Sequence, residues 1–314
     1  IHDTGKALKR EQPMPDRRLT HAVTDRDGTL LLNAGTRLTR QVMKASVSRQ
    51  AGAMATCRLL DYRQVRSDLL SFFAVPPYEL IFQETHRQEE LLEIAGDVVL
   101  PEPVLESLYH FREWDFYTYR HTLLVFALSI LIARELIDDR DALLQEVMAG
   151  PTHDIGKLCV PLEILTKETP LTEAQHAHLR HHALAGYVLL SRYFRDPGIL
   201  AAEVARDHHE RRDGSGYPLG ISIDNQMIDI IMVSDVYDAL ISPRPYRPVS
   251  YDNRTALEEL TRQADAGTIS ETVARVLVAL NRRAQPHFSQ CVVSTERRGT
   301  PPSKNVYGLI DTDD

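Results

Sequence analysis

The chain has 314 residues, a formal net charge of −8 with histidine neutral, and a pI near 5.9. That length suggests about two domains, the longer able to bury a full core, and the acidic balance argues against broad binding to a nucleic-acid backbone while leaving room for a small anion where Lys and Arg gather. Three cysteines, Cys57, Cys159 and Cys291, are too few and too scattered for a disulfide framework or a thiolate zinc cluster, so a reducing cytoplasm is the expected setting.

The pentapeptide HDTGK opens the chain at His2 to Lys6, with no signal-peptide pattern around it. Residues 1–62 are expected to form a small β-rich module, a candidate regulatory unit. In RLTHAVTDRDGTLLLNAG a β-rich run breaks at Asp27-Gly28, a pair suited to a tight turn, and resumes at Thr29 to Leu32. Thr39 is placed to cap a short helix over QVMKASVSRQAGA, and Cys57 to Leu60 is read as a returning strand. Residues 63–102 read as a helical connector. It carries Pro76-Pro77 and the charged stretch YELIFQETHRQEELLEIAG, whose apolar stripe is weak and whose expected resting place is its own domain rather than a second subunit.

From residue 103 the pattern becomes helix after helix. The expected segments are 103–114, 118–137, 140–152, 172–194, 198–209, 226–241, 252–265 and 270–283, with Pro and Gly mostly at the joints. The fold class is therefore mainly α: an all-α domain over 103–288 behind the β-rich front, with a partly extended tail at 289–314. The most apolar run, Thr122 to Ala133, falls well short of the ~20 residues of a membrane span and reads as a buried helix.

Eight of the 13 histidines lie between His121 and His209, under a third of the chain. His121 opens the apolar helix, His153-Asp154 begins a second pentapeptide, HDIGK, and His181-His182 and His208-His209 follow. Asp235 then interrupts the apolar run IIMVSDVYDAL. Imidazoles with carboxylates and no thiolate suit a borderline divalent metal such as Fe, Mn, Zn, Co or Ni. A carboxylate such as Asp154 can bridge two ions, and paired ions recur in phosphoester hydrolysis, where they hold a hydroxide between them and neutralise phosphoryl charge. His176, His178 and His181 are expected on the solvent side, because His181 points about 100° from His182 on a regular helix. His2-Asp3 has no helix leading in and no placed partners, so HDIGK is the candidate site.

The order His121, THDIGKLCVP, HHALAG, DHHERRDGSGYPLG, SDVYDAL and SPRPYRP resembles the HD-GYP family of the HD phosphohydrolase superfamily, over about residues 103–288. The resemblance implies an all-α domain with a buried centre of two or three metals, hydrolysing the second messenger cyclic di-GMP to pGpG and, in many members, onward to GMP. By position it makes His121, His153, Asp154, His182, His208, His209 and Asp235 the metal ligands, with Asp154 as the bridge. His182 is chosen over His181 because the family places this His four residues before a Gly, here Gly186. Lys157 would reach a phosphate oxygen, Gly216 and Tyr217 belong to the GYP loop at the substrate, and Arg244 and Arg247 would grip its phosphates. Asp115, six residues before His121, is a candidate acid or water-orienting group, and equally a helix N-cap.

A signalling protein of the diguanylate-cyclase type, or another, is a candidate partner at the GYP loop, and a homodimer paired through the connector helix is the alternative to that helix lying on its own domain. Members with three metals carry Glu four residues before the first ligand His. Here that residue is Tyr117, so two metals are expected, iron first and manganese as the substitute. Two positions depart from the pattern: Asp229 where Arg is common and Arg212 where Trp is common. The rival readings are a cyclic di-GMP receptor or partner-binding module with little turnover, and a hydrolase of another cyclic dinucleotide.

Overall fold

The computed structural model describes residues 18–48, 54–243, 249–294 and 296–302, so His2, Asp3, Arg244 and Arg247 lie outside the described residues. At the front, strands β1 (Val23–Thr24) and β2 (Leu30–Leu32) pair antiparallel across the expected turn. Gly28 takes φ +80°, a conformation that costs glycine little, and the Asp25 carboxylate accepts from the backbone of Asp27 and Thr29. Helix α1 (Arg40–Ser48) follows, with Thr39 Oγ1 accepting from Val42 N at 3.2 Å as its cap.

Strand β3 (Thr56–Arg58) does not return to that hairpin. It pairs antiparallel with β4 (Val99–Pro101), at the far end of the connector. It also stops two residues short of the expected Leu60, because Leu59 and Leu60 turn together into the core as a 3-10 turn.

The connector holds more helix than expected. Helix α2 (Val65–Phe73) precedes α3 (Tyr78–Ile81) and α4 (Thr85–Asp97), so the single stretch read from Tyr78 is divided after Ile81. The physical reason is burial: Ile81 and Phe82 both turn inward, which no continuous amphipathic stripe with Leu91 and Ile94 would allow. Helix α4 seats Leu91, Ile94 and Ala95 and packs on α6.

The remaining helices are α5 (Glu102–Trp114), α6 (Phe116–Arg134), α7 (Arg140–Val147), α8 (Leu162–Leu165), α9 (Glu173–Arg180), α10 (His182–Phe194), α11 (Leu200–Asp207), α12 (Gln226–Ile241), α13 (Asn253–Asp265) and α14 (Glu271–Leu280). The segment expected as one helix over 172–194 is two, meeting at His181. The short α8 was not anticipated, and the 140–152 helix ends at Val147. In the tail the described residues contain a 3-10 turn, Phe288–Gln290, and no strand. Helices α6 and α12 pack on each other at the centre. Helix α6 is apolar and, at 19 residues, long enough for a membrane span, yet 83% of its apolar window is buried inside the protein. One continuous apolar core runs from Leu19 to Leu280, shared by the front hairpin, the connector and the helices.

Candidate metal centre

Five segments bring the predicted residues together. His121 lies in the second turn of α6, His153 and Asp154 in the turns between α7 and α8, His182 at the start of α10, His208 and His209 just past α11, and Asp235 within α12. All are buried except His209, which is partly so.

Two glycines explain how the HDIGK turn reaches α10. A Cβ on Gly156 would stand 1.9 Å from the His182 carbonyl oxygen and 2.5 Å from Gly186 N. Only two bare backbones can meet so closely, and their contact sets Asp154 against His182. This is the physical content of the His182-to-Gly186 spacing.

The donor atoms fall into two groups. His121, His153 and Asp235 offer atoms within 4.8 Å of one another, as do His182, His208 and His209. Asp154 spans the two. Its Oδ2 lies 3.6 Å from His121 Nε2 and 3.5 Å from His153 Nε2, while its Oδ1 lies 3.5 Å from His182 Nε2 and 3.9 Å from His208 Nε2. Asp235 also spans them, with Oδ1 3.0 Å from His121 Nε2 and Oδ2 3.8 Å from His209 Nδ1.

The imidazoles are oriented from behind. His153 Nδ1 donates to Gly150 O at 2.9 Å, His182 Nδ1 to Leu179 O at 2.6 Å, and His208 Nδ1 to Ala205 O at 3.0 Å. A carbonyl can only accept, so each contact fixes the proton on Nδ1 and leaves the Nε2 lone pair facing the centre. His121 Nδ1 donates instead to Asp238 Oδ2 at 2.6 Å, and Asp238 Oδ1 accepts from the buried Tyr78 hydroxyl.

Electrostatics divide the set. Burial first, and then neighbouring imidazoles, lower the pKa of His208 to about 3 and hold His209 well below the usual range. Burial also lowers His182, against the opposing pull of Asp154. For His121, burial is outweighed by hydrogen bonds to Asp235 and Asp238, which raise its pKa to about 9. Asp154 and Asp235 stay well below the carboxylate range, because the cations and imidazoles around them overcome their burial.

This donor set fits a divalent metal. His153 Nε2 is buried, points into the cluster and has no hydrogen-bond partner, and the donors are nitrogen and carboxylate oxygen without a thiolate. Lys157 Nζ sits on Asp154 Oδ2 at 2.5 Å.

In the GYP loop Gly214 takes φ +79°. Gly216 is needed for another reason: a Cβ there would lie 2.3 Å from Glu210 Cα. Tyr217 stacks on His209, ring centroids 4.6 Å apart, with the Arg180 guanidinium 5.0 Å from its ring. Glu210 holds the loop by accepting from the backbone of Leu219, Gly220 and Ile221.

Some residues stand elsewhere than expected. His181 is buried rather than solvent-facing, with Nδ1 3.3 Å from Thr20 Oγ1, and the half-buried His178 stacks on His21 at 3.5 Å. His181 keeps helical dihedrals at the joint, so it does face away from His182, but the front module covers the face expected to be solvent. Asp115 accepts from Thr118 N at 3.2 Å and Thr118 Oγ1 at 2.6 Å, the N-cap of α6. The Tyr117 ring lies nearly parallel to His121, 5.8 Å between centroids.

Sequence reasoning missed Asp238, Tyr78 and Glu210 as supports. The signal for Asp238 was available, since a second carboxylate three residues after Asp235 in an apolar helix has no cheap burial of its own. Tyr78 had none, being distant in sequence.

Residues 103–273 match the HD domain family. The chain is 39% identical over 165 residues to a Pseudomonas aeruginosa protein named cyclic di-GMP phosphodiesterase, covering 52% of this chain and 39% of that one. It is 39% identical over 166 residues to a Thermotoga maritima protein of the same name, covering 52% and 44%. A Vibrio cholerae protein named 3'3'-cGAMP-specific phosphodiesterase 1 is 30% identical over 226 residues, covering 70% and 48%. The chain thus spans less than half the length of these relatives.

Proposed function

Because the chain belongs to the HD-GYP family of HD domain proteins, we propose that it is a metal-dependent phosphodiesterase that hydrolyses cyclic di-GMP to pGpG or GMP, in the cytoplasm. The observation that carries this reading is Asp154, whose two carboxylate oxygens face two different groups of imidazoles. His121, His153 and Asp235 would hold one divalent ion and His182, His208 and His209 another, with Asp154 shared. Two such ions, iron or in its place manganese, supply an activated water and neutralise charge on the phosphoryl oxygens. Tyr117 favours two ions over three, because a phenol brings no carboxylate charge to a third.

The chain's own residues do the rest. Lys157, beside Asp154, is placed to meet a phosphate oxygen as a compact cation. Gly216 lets the loop close on His209, and Tyr217 covers that imidazole, shielding one side from water. Arg244 and Arg247 keep the phosphate-gripping role that their sequence position suggests. Asp115 is read as a cap rather than as the acid, since both of its oxygens are engaged by Thr118, and the leaving ribose oxygen takes its proton from water.

The test is protein purified without oxygen, analysed for metal, and assayed on cyclic di-GMP, 3'3'-cGAMP and cyclic di-AMP with iron or manganese supplied. Release of pGpG or GMP with two metals per chain is expected. Tight binding of cyclic di-GMP without product over long incubation would overturn hydrolysis in favour of a receptor.

A further inference from the structure

A cleft of about 260 Å³ opens beside the metal centre. Phe111, Trp114, Leu158 and Val160 give it apolar walls, and Asp115 and Lys157 are its charged members. Lys157 belongs to both places, since its Nζ touches Asp154 while its side chain lines the cleft. A ligand whose phosphate lies at Lys157 therefore has this cleft within reach of its next group. The volume is below the ~300–1,000 Å³ of pockets that enclose a whole drug-sized ligand, so it suits one part of a dinucleotide rather than all of it.

We propose that this cleft receives one guanine base of the dinucleotide, stacked on Trp114 and read by the carboxylate of Asp115. The inference rests on the phosphodiesterase reading above. Trp114 ends α5 with 60% of its surface exposed, although most of the large apolar side chains among the described residues are buried. Trp114 lines the cleft with much of its surface open, and an open aromatic ring is what a base needs for stacking. Asp115, 6% exposed, presents only acceptors unless protonated, and each oxygen that accepts from Thr118 keeps a further lone pair. Guanine offers two donors on one edge, N1–H and the 2-amino group. Adenine offers an acceptor at N1, which would face the carboxylate unfavourably. The capping bonds to Thr118 hold the carboxylate in one orientation, as a base reader requires.

Trp114 is the only tryptophan in the chain, so its fluorescence reports directly on the cleft. Rapid mixing of the metal-loaded protein with cyclic di-GMP should quench that emission, half-complete at the concentration that half-saturates turnover. Inorganic phosphate and cyclic di-AMP should not quench it. Trp114→Ala should raise KM for cyclic di-GMP roughly 5- to 150-fold, the range that a base–aromatic stack carries. The effect should fall on KM more than on kcat and exceed that on KM for bis(p-nitrophenyl) phosphate, which has no base. Trp114→Phe should recover most of the loss. Asp115→Asn, which keeps a capping side chain, should narrow the preference for guanine over adenine.

Turnover of cyclic di-GMP without any quenching, or an unmoved KM in Trp114→Ala, would overturn the proposal. So would a loss of dimerisation in Trp114→Ala at constant KM, which would give the ring to a subunit interface. Quenching by cyclic di-GMP in a protein that releases no product would instead refute hydrolysis and leave the base site standing.

Discussion

The guanidinium of Arg212 grips the carboxylate of Asp229, with Nη2 2.6 Å from Oδ2 and Nε 3.1 Å from Oδ1. Arg212 comes from the loop after His209, and Asp229 is buried in the first turn of α12, the helix that carries Asp235. These are the two positions that depart from the HD-GYP pattern, and they satisfy each other. Burial raises the Asp229 pKa against the pull of Arg212, so the pair is a joint substitution rather than two defects.

Removing one partner should therefore cost more than removing both. Arg212→Ala is expected to destabilise the protein by about 1 to 3 kcal/mol, the scale for a buried group left unpaired, reduced from a fully buried pair because Arg212 is partly exposed. Adding Asp229→Asn should recover part of that loss. Urea unfolding of both variants measures the difference, and additive losses would mean that the pair is not coupled.

Asp154 and Asp3 test which HD motif matters. Asp154→Ala should lose most of the bound metal and the activity, because that carboxylate faces both imidazole groups. Asp3→Ala should change neither. Metal analysis of the two purified variants decides, and comparable losses from both would refute the assignment.

Asp238 should act through His121. With its acceptor gone in Asp238→Ala, His121 Nδ1 has nothing to fix the ring. Metal affinity should drop about 10- to 100-fold, as for other groups that orient a ligand from behind. Tyr78→Phe removes one donor to Asp238 and should have a smaller effect in the same direction. Competitive chelator titration reads both.

Chelated, metal-free protein should be least stable in acid. The His208 pKa is lowered to about 3, that of His181 to about 4, and those of His182 and His209 are also lowered. Between the unfolded value near ~6.5 and those folded values the unfolded chain binds more protons, so stability rises with pH across that window. His121 acts oppositely: raised to about 9, its contribution is complete below the unfolded value and is lost as pH rises through 9. Melting temperature should thus fall steadily from pH 6.5 towards pH 5, and a flat profile would contradict the buried neutral imidazoles.

Gly156→Ala should disturb the site without touching a donor atom. The added methyl meets the His182 carbonyl and Gly186 N, backbone atoms that cannot swing aside. A cost of about 1 to 3 kcal/mol, as for other overpacked interiors, is expected together with weaker metal binding. Unfolding and metal titration on one preparation would show whether the two losses travel together.

By itself the sequence determined the class of the fold and, through its resemblance to a family, nominated the members of the cluster. Helical periodicity, the apolar run of α6 and the order of His and Asp motifs are local signals, and each motif stands on a segment whose own pattern placed it. Caps were legible for the same reason: Thr39, and Asp115 in its alternative reading, act on backbone three residues away. What lay beyond reach depended on contacts between distant segments. The pairing of β3 with β4 is fixed by how the connector folds back, and the burial of His181 by the front module lying over α9 and α10. The Tyr78–Asp238–His121 chain and the Arg212–Asp229 pair are likewise tertiary. A side chain's neighbours across the core follow from packing, and packing is decided by the whole chain at once. The sequence could therefore nominate the seven candidate ligands, while only the tertiary structure decided that one oxygen of Asp154 faces His121 and the other His182.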